Sequence, residues 1–329
     1  MLSRTLGRSG PSVSAIGLGA MGMSDFYGPA DETESIATIH AALDAGVTLI
    51  DTGDFYGMGH NEMLIADALK GAKRDKAILS VKYGAQRDAS GAFIGMATDP
   101  VATKTALAYT LKRLRVDYID IYRPARVSPG VPIEDTVGAI ADLVKAGYVR
   151  HIGLSEAGAE TIRRAHKVHP IVDLQIEYSI LTRGVERKIL PTLRELGIGM
   201  TAYGVLSRGL ISDSALGGGS HGGFRSHAPR FQGENLNRNL ALVQALKDIA
   251  DENGCTVAQL AIAWVASRGD DIVPLIGARK RERLAESLGA LDVTLSPADL
   301  ARIEAAAPPD AVAGARYSPE QMAMLDSER

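Results

Sequence analysis

An aspartate, a tyrosine and a lysine are the first residues in this sequence whose types and spacing could do chemistry together. Asp51 and Tyr56 stand five residues apart in Leu49-Ile50-Asp51-Thr52-Gly53-Asp54-Phe55-Tyr56-Gly57-Met58-Gly59-His60-Asn61-Glu62. Lys82 closes the next apolar run, Ala77-Ile78-Leu79-Ser80-Val81. A phenol with an ordinary pKa of ~10 is a slow acid at neutral pH, and a buried ammonium beside it stabilises the phenolate and brings that pKa down. A carboxylate next to the lysine keeps the ammonium charged despite burial. The three together can act as a general acid/base relay for a carbonyl. Any one of them alone reads more simply as a packed or ion-paired residue; all three at strand ends favour the relay.

These residues must be carried by elements that end at one rim. In parallel β/α proteins, chemistry sits at the carboxyl ends of strands, in the loops that lead to the next helix. From Asp31 the chain alternates with that period. Helical spacing at Ile36, Ile39, Ala42 and Leu43 predicts a helix over 32–45, ended by Gly46, before a strand from 46 to 50. Further helices are expected over 61–69, 99–114, 133–146, 159–168, 185–196 and 281–288, with strands over 77–82, 118–122, 149–154, 173–176, 198–202 and 272–276. Counting from Ala15, that is eight strands, the number of a closed (β/α)8 barrel of the α/β class. A hairpin around Gly10-Pro11 precedes it, two extra helices (240–252 and 297–306) accompany it, and the whole of 1–329 reads as one domain.

Gly17, Gly19 and Gly22 satisfy G-x-G-x-x-G, which raises a doubly wound dinucleotide fold. Those glycines should open directly into a helix, with an acidic residue about 20 residues on. Here the loop Ser24-Asp25-Phe26-Tyr27-Gly28-Pro29 intervenes, so the barrel is favoured. The connection 203–237, with Gly217-Gly218-Gly219-Ser220-His221-Gly222-Gly223, has no firm periodicity. It reads either as a surface excursion or as a lid.

Composition narrows the partners. With 36 basic and 39 acidic residues the net charge is −3, which points to neither nucleic acid nor an anionic membrane surface. The single cysteine, Cys255, excludes an internal disulfide and fits a reducing compartment. No apolar run approaches the ~18 residues of a membrane span. The amino terminus lacks the apolar core of a signal peptide, so a cytoplasmic location is expected. His166 and His169 share a helix, but no third ligand follows at a telling distance, and no metal is expected. Nothing in the sequence fixes an oligomeric state.

The segment 51–62, Lys82, Gly153-Leu154-Ser155-Glu156, Gln175 and Ile276-Gly277-Ala278-Arg279, in that order, resemble the aldo-keto reductase family, and the resemblance runs from Ser3 to Ala306. It implies a (β/α)8 barrel that binds NADPH without a Rossmann fold and reduces an aldehyde or ketone. In that reading Tyr56 is the proton donor, Lys82 lowers its pKa and Asp51 holds Lys82. The same resemblance assigns cofactor contacts to Gly19, Met21, Asp51, Ser155, Glu156 and Gln175. It adds Tyr203 stacked on the nicotinamide, then Leu206, Arg208 and Gly209 in the following loop, with Glu286 and Ser287 at the adenine. Met21, Phe55, Tyr83, Ala125, Arg126 and the tail from Tyr317 to Met324 are expected near the substrate.

The run Gly277-Ala278-Arg279-Lys280-Arg281-Glu282-Arg283 supports a phosphorylated cofactor on its own terms. A helix start after the eighth strand offers free N–H groups to an anion, and here it is loaded with cations. Arg279 and Arg283 could grip a ribose 2′-phosphate, which favours NADPH over NADH.

One departure stands out. Most family members end strand four in a His that orients the carbonyl; in Ile119-Asp120-Ile121-Tyr122-Arg123-Pro124-Ala125-Arg126 that position is Ala125. Orientation then falls to water, to Arg126, or to nothing, and a reduced or narrower activity is expected. Two alternatives stay open: an NADPH-sensing protein resembling the β-subunits of potassium channels, and a dehydrogenase oxidising a sugar or vitamin alcohol, with a preference for NADH.

Overall fold

Eight short parallel strands close on themselves in chain order. They are β1 (Gly17–Gly19), β2 (Leu49–Gly53), β3 (Ile78–Tyr83), β4 (Ile119–Pro124), β5 (Val149–Ser155), β6 (Ile171–Glu177), β7 (Gly199–Tyr203) and β8 (Ile272–Gly277). The computed structural model describes residues 1–218 and 223–329, so the centre of the glycine-rich stretch, 219–222, lies outside the described residues. The expected α/β class and (β/α)8 architecture are what the chain adopts.

The strands' inward faces explain the closure. At the amino-terminal end Leu49, Ile121 and Val273 pack with Leu6 and Val13 into an apolar plug. Leu6 and Val13 come from the hairpin segment, in which Ser3–Thr5 pairs antiparallel with Ser12–Ser14. Higher up, the inward positions turn polar. Asp51 lies opposite Ser80, and Lys82 opposite Arg123, because side chains two residues apart on a strand share a face. Gly153 makes room in that layer: a Cβ there would stand 2.7 Å from Asp173 Oδ1 and 3.0 Å from Arg123 Cζ.

Helix boundaries follow from caps. Asp31 accepts from the Glu34 amide at 2.7 Å to start Glu32–Asp44, and Asp99 Oδ1 accepts from the Val101 and Ala102 amides to start Pro100–Leu114. Thr256 and Gln259 form a capping box for Val257–Ser267. Gly17 and Gly19 belong to β1, and the next element in the chain is a single 3-10 turn, Met21–Met23, not a helix. The helix expected from residue 240 begins at Gly233, which shortens the irregular connection. An unforeseen hairpin, Ala85–Arg87 with Phe93–Met96, extends past β3 around a turn in which Gly91 takes φ +84°. Among the described residues no helix is long and apolar enough to cross a membrane.

Candidate active site

Asp51, Tyr56 and Lys82 meet at one rim of a cavity of about 440 Å³ at the carboxyl ends of the strands. Tyr56 is set by the turn after β2. Gly57, Met58 and Gly59 all take positive φ, and Met58 at +53° is held in a conformation that non-glycine residues adopt at some cost. Fully buried Asn61 fixes the far side of that turn: it accepts from Thr52 Oγ1 at 2.6 Å and donates to the Ala20 carbonyl at 2.9 Å and to Ser24 Oγ at 2.8 Å. The Tyr56 ring then stands edge-on to Phe55, centroids 4.7 Å apart, with Lys82 Nζ 5.2 Å from its own centroid.

Asp51 is fully engaged. One oxygen takes the Lys82 ammonium; the other accepts from Ser80 Oγ at 2.8 Å and from Gln175 Nε2 at 2.7 Å. Behind Ser80 the network continues. Arg123 Nη2 donates to Ser80 Oγ at 2.9 Å and Nη1 pairs with Asp173 at 2.7 Å, both side chains being wholly inaccessible.

Burial sets the titration of these groups. It lowers the Lys82 pKa against the pull of Asp51, and the charges of Arg123 and Arg126 lower it further. Burial also pushes the Tyr56 phenol well above its usual range; Asp51 adds to that and Arg126 opposes it. The sequence led us to expect a lowered phenol pKa. The direction is reversed because the phenol is dry and the Asp51 charge opposes its ionisation.

Most of the remaining expected residues line the same cavity. Gly19, Met21 and Phe55 form one wall with Phe26 and Tyr27; Ser155, Gln175 and Tyr203 face them; Leu206, Arg208, Gly209, Gly277, Arg279 and Arg283 close the end beyond β7 and β8. Arg126 enters beside Tyr56. Arg279 Nη1 donates to the carbonyls of Tyr27, Gly28 and Pro29, at 2.9, 3.3 and 3.2 Å, so it holds the loop after β1 as well as facing the cavity.

Five expected residues are placed elsewhere. Tyr83 is buried away from the mouth, its hydroxyl 2.8 Å from Thr103 Oγ1 and its ring stacked on Tyr122 at 4.5 Å. Adjacent strand residues face opposite sides, and the inward place is taken by Lys82. Ala125 is buried and outside the lining, while Arg126 faces it. Glu286 pairs with Arg283 at 2.7 Å, and Ser287 is buried one position on; neither lines the cavity.

Glu156 is the fifth, and it points to something the sequence left unread. Its carboxylate accepts from Arg316 at 2.8 and 2.6 Å, from Tyr203 Oη at 2.6 Å and from Ser327 Oγ at 2.6 Å. Burial alone would raise its pKa; the Arg316 hydrogen bonds and charge outweigh that and hold it down at about 2. The carboxyl-terminal tail is thus fastened across the mouth. It brings Tyr317 into the cavity, 2.8 Å from the Tyr203 hydroxyl.

Arg225 was also missed. It reaches the cavity from the long loop after β7, Nε donating to the Arg208 carbonyl at 2.7 Å and Cζ 5.4 Å from the centre of the Tyr27 ring. A lone arginine in a stretch without periodicity gives no sequence signal.

Comparison with known proteins agrees with this geometry. Residues 15–308 match the model of the aldo/keto reductase family. The chain is 42% identical over 317 residues to a protein named probable aldo-keto reductase 1 from Glycine max, covering 95% of this chain and 90% of that one. The glycerol dehydrogenase AKR11B4 from Gluconobacter oxydans superposes with a TM-score of 0.82 at 26% identity, covering 94% of this chain and 96% of that one. A thermostable aldo-keto reductase, Tm1743, solved with the inhibitor epalrestat, gives 0.76 at 28% identity, covering 93% and 100%. The chain therefore belongs to the aldo/keto reductase family, oxidoreductases that interconvert carbonyls and alcohols with nicotinamide cofactors.

Proposed function

We propose that this protein is an NADPH-dependent reductase of aldehydes or ketones with Tyr56 as proton donor. The observation that carries the reading is the meeting of Tyr56, Lys82 and Asp51 at one cavity rim. The residues present suit the cofactor. Ser155 and Gln175 offer a hydroxyl and an amide beside the Tyr203 ring, and Arg279, Arg283 and Arg225 crowd the opposite end. Burial and the nearby Arg279 charge both lower the Arg225 pKa, a mutual repulsion that a phosphate between them would relieve.

NADPH held there supplies the hydride for the carbonyl carbon. Tyr56 holds the proton that passes from Oη to the carbonyl oxygen, and its raised pKa keeps it a neutral donor at any physiological pH. Lys82 lies where its ammonium can stabilise the phenolate left behind, and Asp51 keeps that ammonium charged and aimed. Phe26 and Phe55 pack edge-on against the Tyr56 ring and give that side of the cavity an apolar wall. The same groups run the oxidation of an alcohol in reverse, as the likeness to a glycerol dehydrogenase suggests.

Tyr56→Phe is the test. The variant should still change the fluorescence of NADPH on binding while losing turnover on a panel of aldehydes and ketones; unchanged turnover rules out the assignment.

A further inference from the structure

Three of the cations that line the cavity are paired with a carboxylate. Lys82 pairs with Asp51, Arg208 with Glu177 at 3.5 Å and Arg283 with Glu286 at 2.7 Å. Arg279 and Arg225 donate to backbone carbonyls. Arg126 resembles those two in its bonding but stands on the Tyr56 side of the cavity. It is half-buried just past the end of β4, Nη1 donating to its neighbour's carbonyl at 2.6 Å and Nη2 lying 3.5 Å from Tyr317 Oη. Among the described residues no carboxylate stands within ion-pair distance of it; the Glu156 charge, held by Arg316, reaches it only from farther away.

The acids of the mouth are committed already. Glu156 takes Arg316, Tyr203 and Ser327, and Glu177 takes Thr182 with Arg208, Arg230 and Arg316 around it. Glu156 acts on Arg126 only from beyond ion-pair distance, and a half-buried guanidinium with no carboxylate in contact has a fork of N–H donors shaped to receive one. Its position is on the catalytic side: its charge acts on both Tyr56 and Lys82, away from the Arg279 and Arg283 end.

We infer that the carbonyl substrates of this site carry a second group, a carboxylate, which Arg126 receives beside the Tyr203–Tyr317 hydroxyl pair while the carbonyl faces Tyr56. This rests on the reductase reading above and names the substrate class for it. It also gives the missing strand-four His a physical counterpart: the substrate is oriented by its remote acid instead of by a hydrogen bond to the carbonyl.

The experiment separates the two readings. Calorimetric titration of the NADP+-loaded protein with benzoate and with benzamide should show benzoate bound about ten-fold more tightly, as a charge-assisted pair predicts. Arg126→Gln should abolish that preference, Arg126→Lys should keep part of it, and NADP+ affinity serves as the control. In turnover, the ratio of kcat/KM for 4-carboxybenzaldehyde over its methyl ester should fall about ten-fold in Arg126→Gln. Equal binding of benzoate and benzamide to the native protein overturns the inference, as does a preference that survives Arg126→Gln or an equal loss of NADP+ binding. Benzoate preference with no turnover of either aldehyde would instead remove the reductase reading and leave Arg126 an acid-binding residue.

Discussion

Arg316 holds both oxygens of Glu156, at 2.8 and 2.6 Å, and both side chains are buried. The contact ties the tail to the end of β5, 160 positions back in the chain, and so places Tyr317 over the cavity. Arg316→Ala leaves a carboxylate buried without its cation, a change that costs about 3–5 kcal/mol in comparable sites. The expected outcome is a lower Tm, faster proteolytic cleavage after residue 308 and a raised KM, with less effect on cofactor affinity. Unchanged cleavage would show that the tail is held by other contacts. Acid should act the same way. The Glu156 pKa is depressed to about 2, so its contribution is present above the ordinary carboxylate value of ~4 and is lost as pH falls through about 2.

How much of this was readable beforehand depends on whether the signal was local. Lys82 at the end of an apolar run, and the Asp51 to Glu62 turn, are set by strand periodicity and turn residues within a few positions, and the barrel follows from counting such units. The tail was not readable in the same way. Arg316 finds Glu156 only because the barrel brings the end of β5 beneath it, and no spacing in the sequence records that. Arg123 is a similar case: a charged residue inside a strand reads as an edge or a fault until Asp173, two strands away around the barrel, supplies its partner. Tyr83 failed for a simpler reason, since a one-residue offset on a strand turns a side chain to the other face.

Arg279 and Arg283 divide the cofactor question between them. Arg279 also braces the loop after β1 through three carbonyls, whereas the Arg283 side chain, among the described residues, is tied only to Glu286 on its own helix. Arg283→Ala is therefore the cleaner variant. We expect it to weaken NADPH by roughly ten-fold, the size of a charge-assisted phosphate contact, and NADH far less. Arg279→Ala should weaken both, because it loosens the Phe26 and Tyr27 wall as well. Fluorescence titration with the two cofactors checks this, and equal losses for NADPH and NADH in Arg283→Ala would remove the 2′-phosphate from that residue.

Burial of Asp54 in the active-site turn should make stability fall as pH rises towards neutrality. It stands two residues before Tyr56; among the described residues its buried Oδ1 has no hydrogen-bond partner, and buried Glu62 beyond it has an oxygen in the same state, while the Gly84 and Phe55 backbones act against a raised pKa. Burial first, and the Glu62 charge second, raise the Asp54 pKa from 3.8 to about 7. In the unfolded chain the group titrates at ~4, so between there and about 7 the folded state keeps a proton that the unfolded state has released. Stability from this source is complete below the unfolded value and is lost as pH rises through about 7. A shift of that size corresponds to at most roughly 4 kcal/mol, and partial exposure of the side chain reduces it. Asp54→Asn removes the titration. Its Tm should therefore gain on the native protein between pH 5 and pH 8, and parallel Tm curves over that range would mean that Asp54 is already ionised at neutral pH.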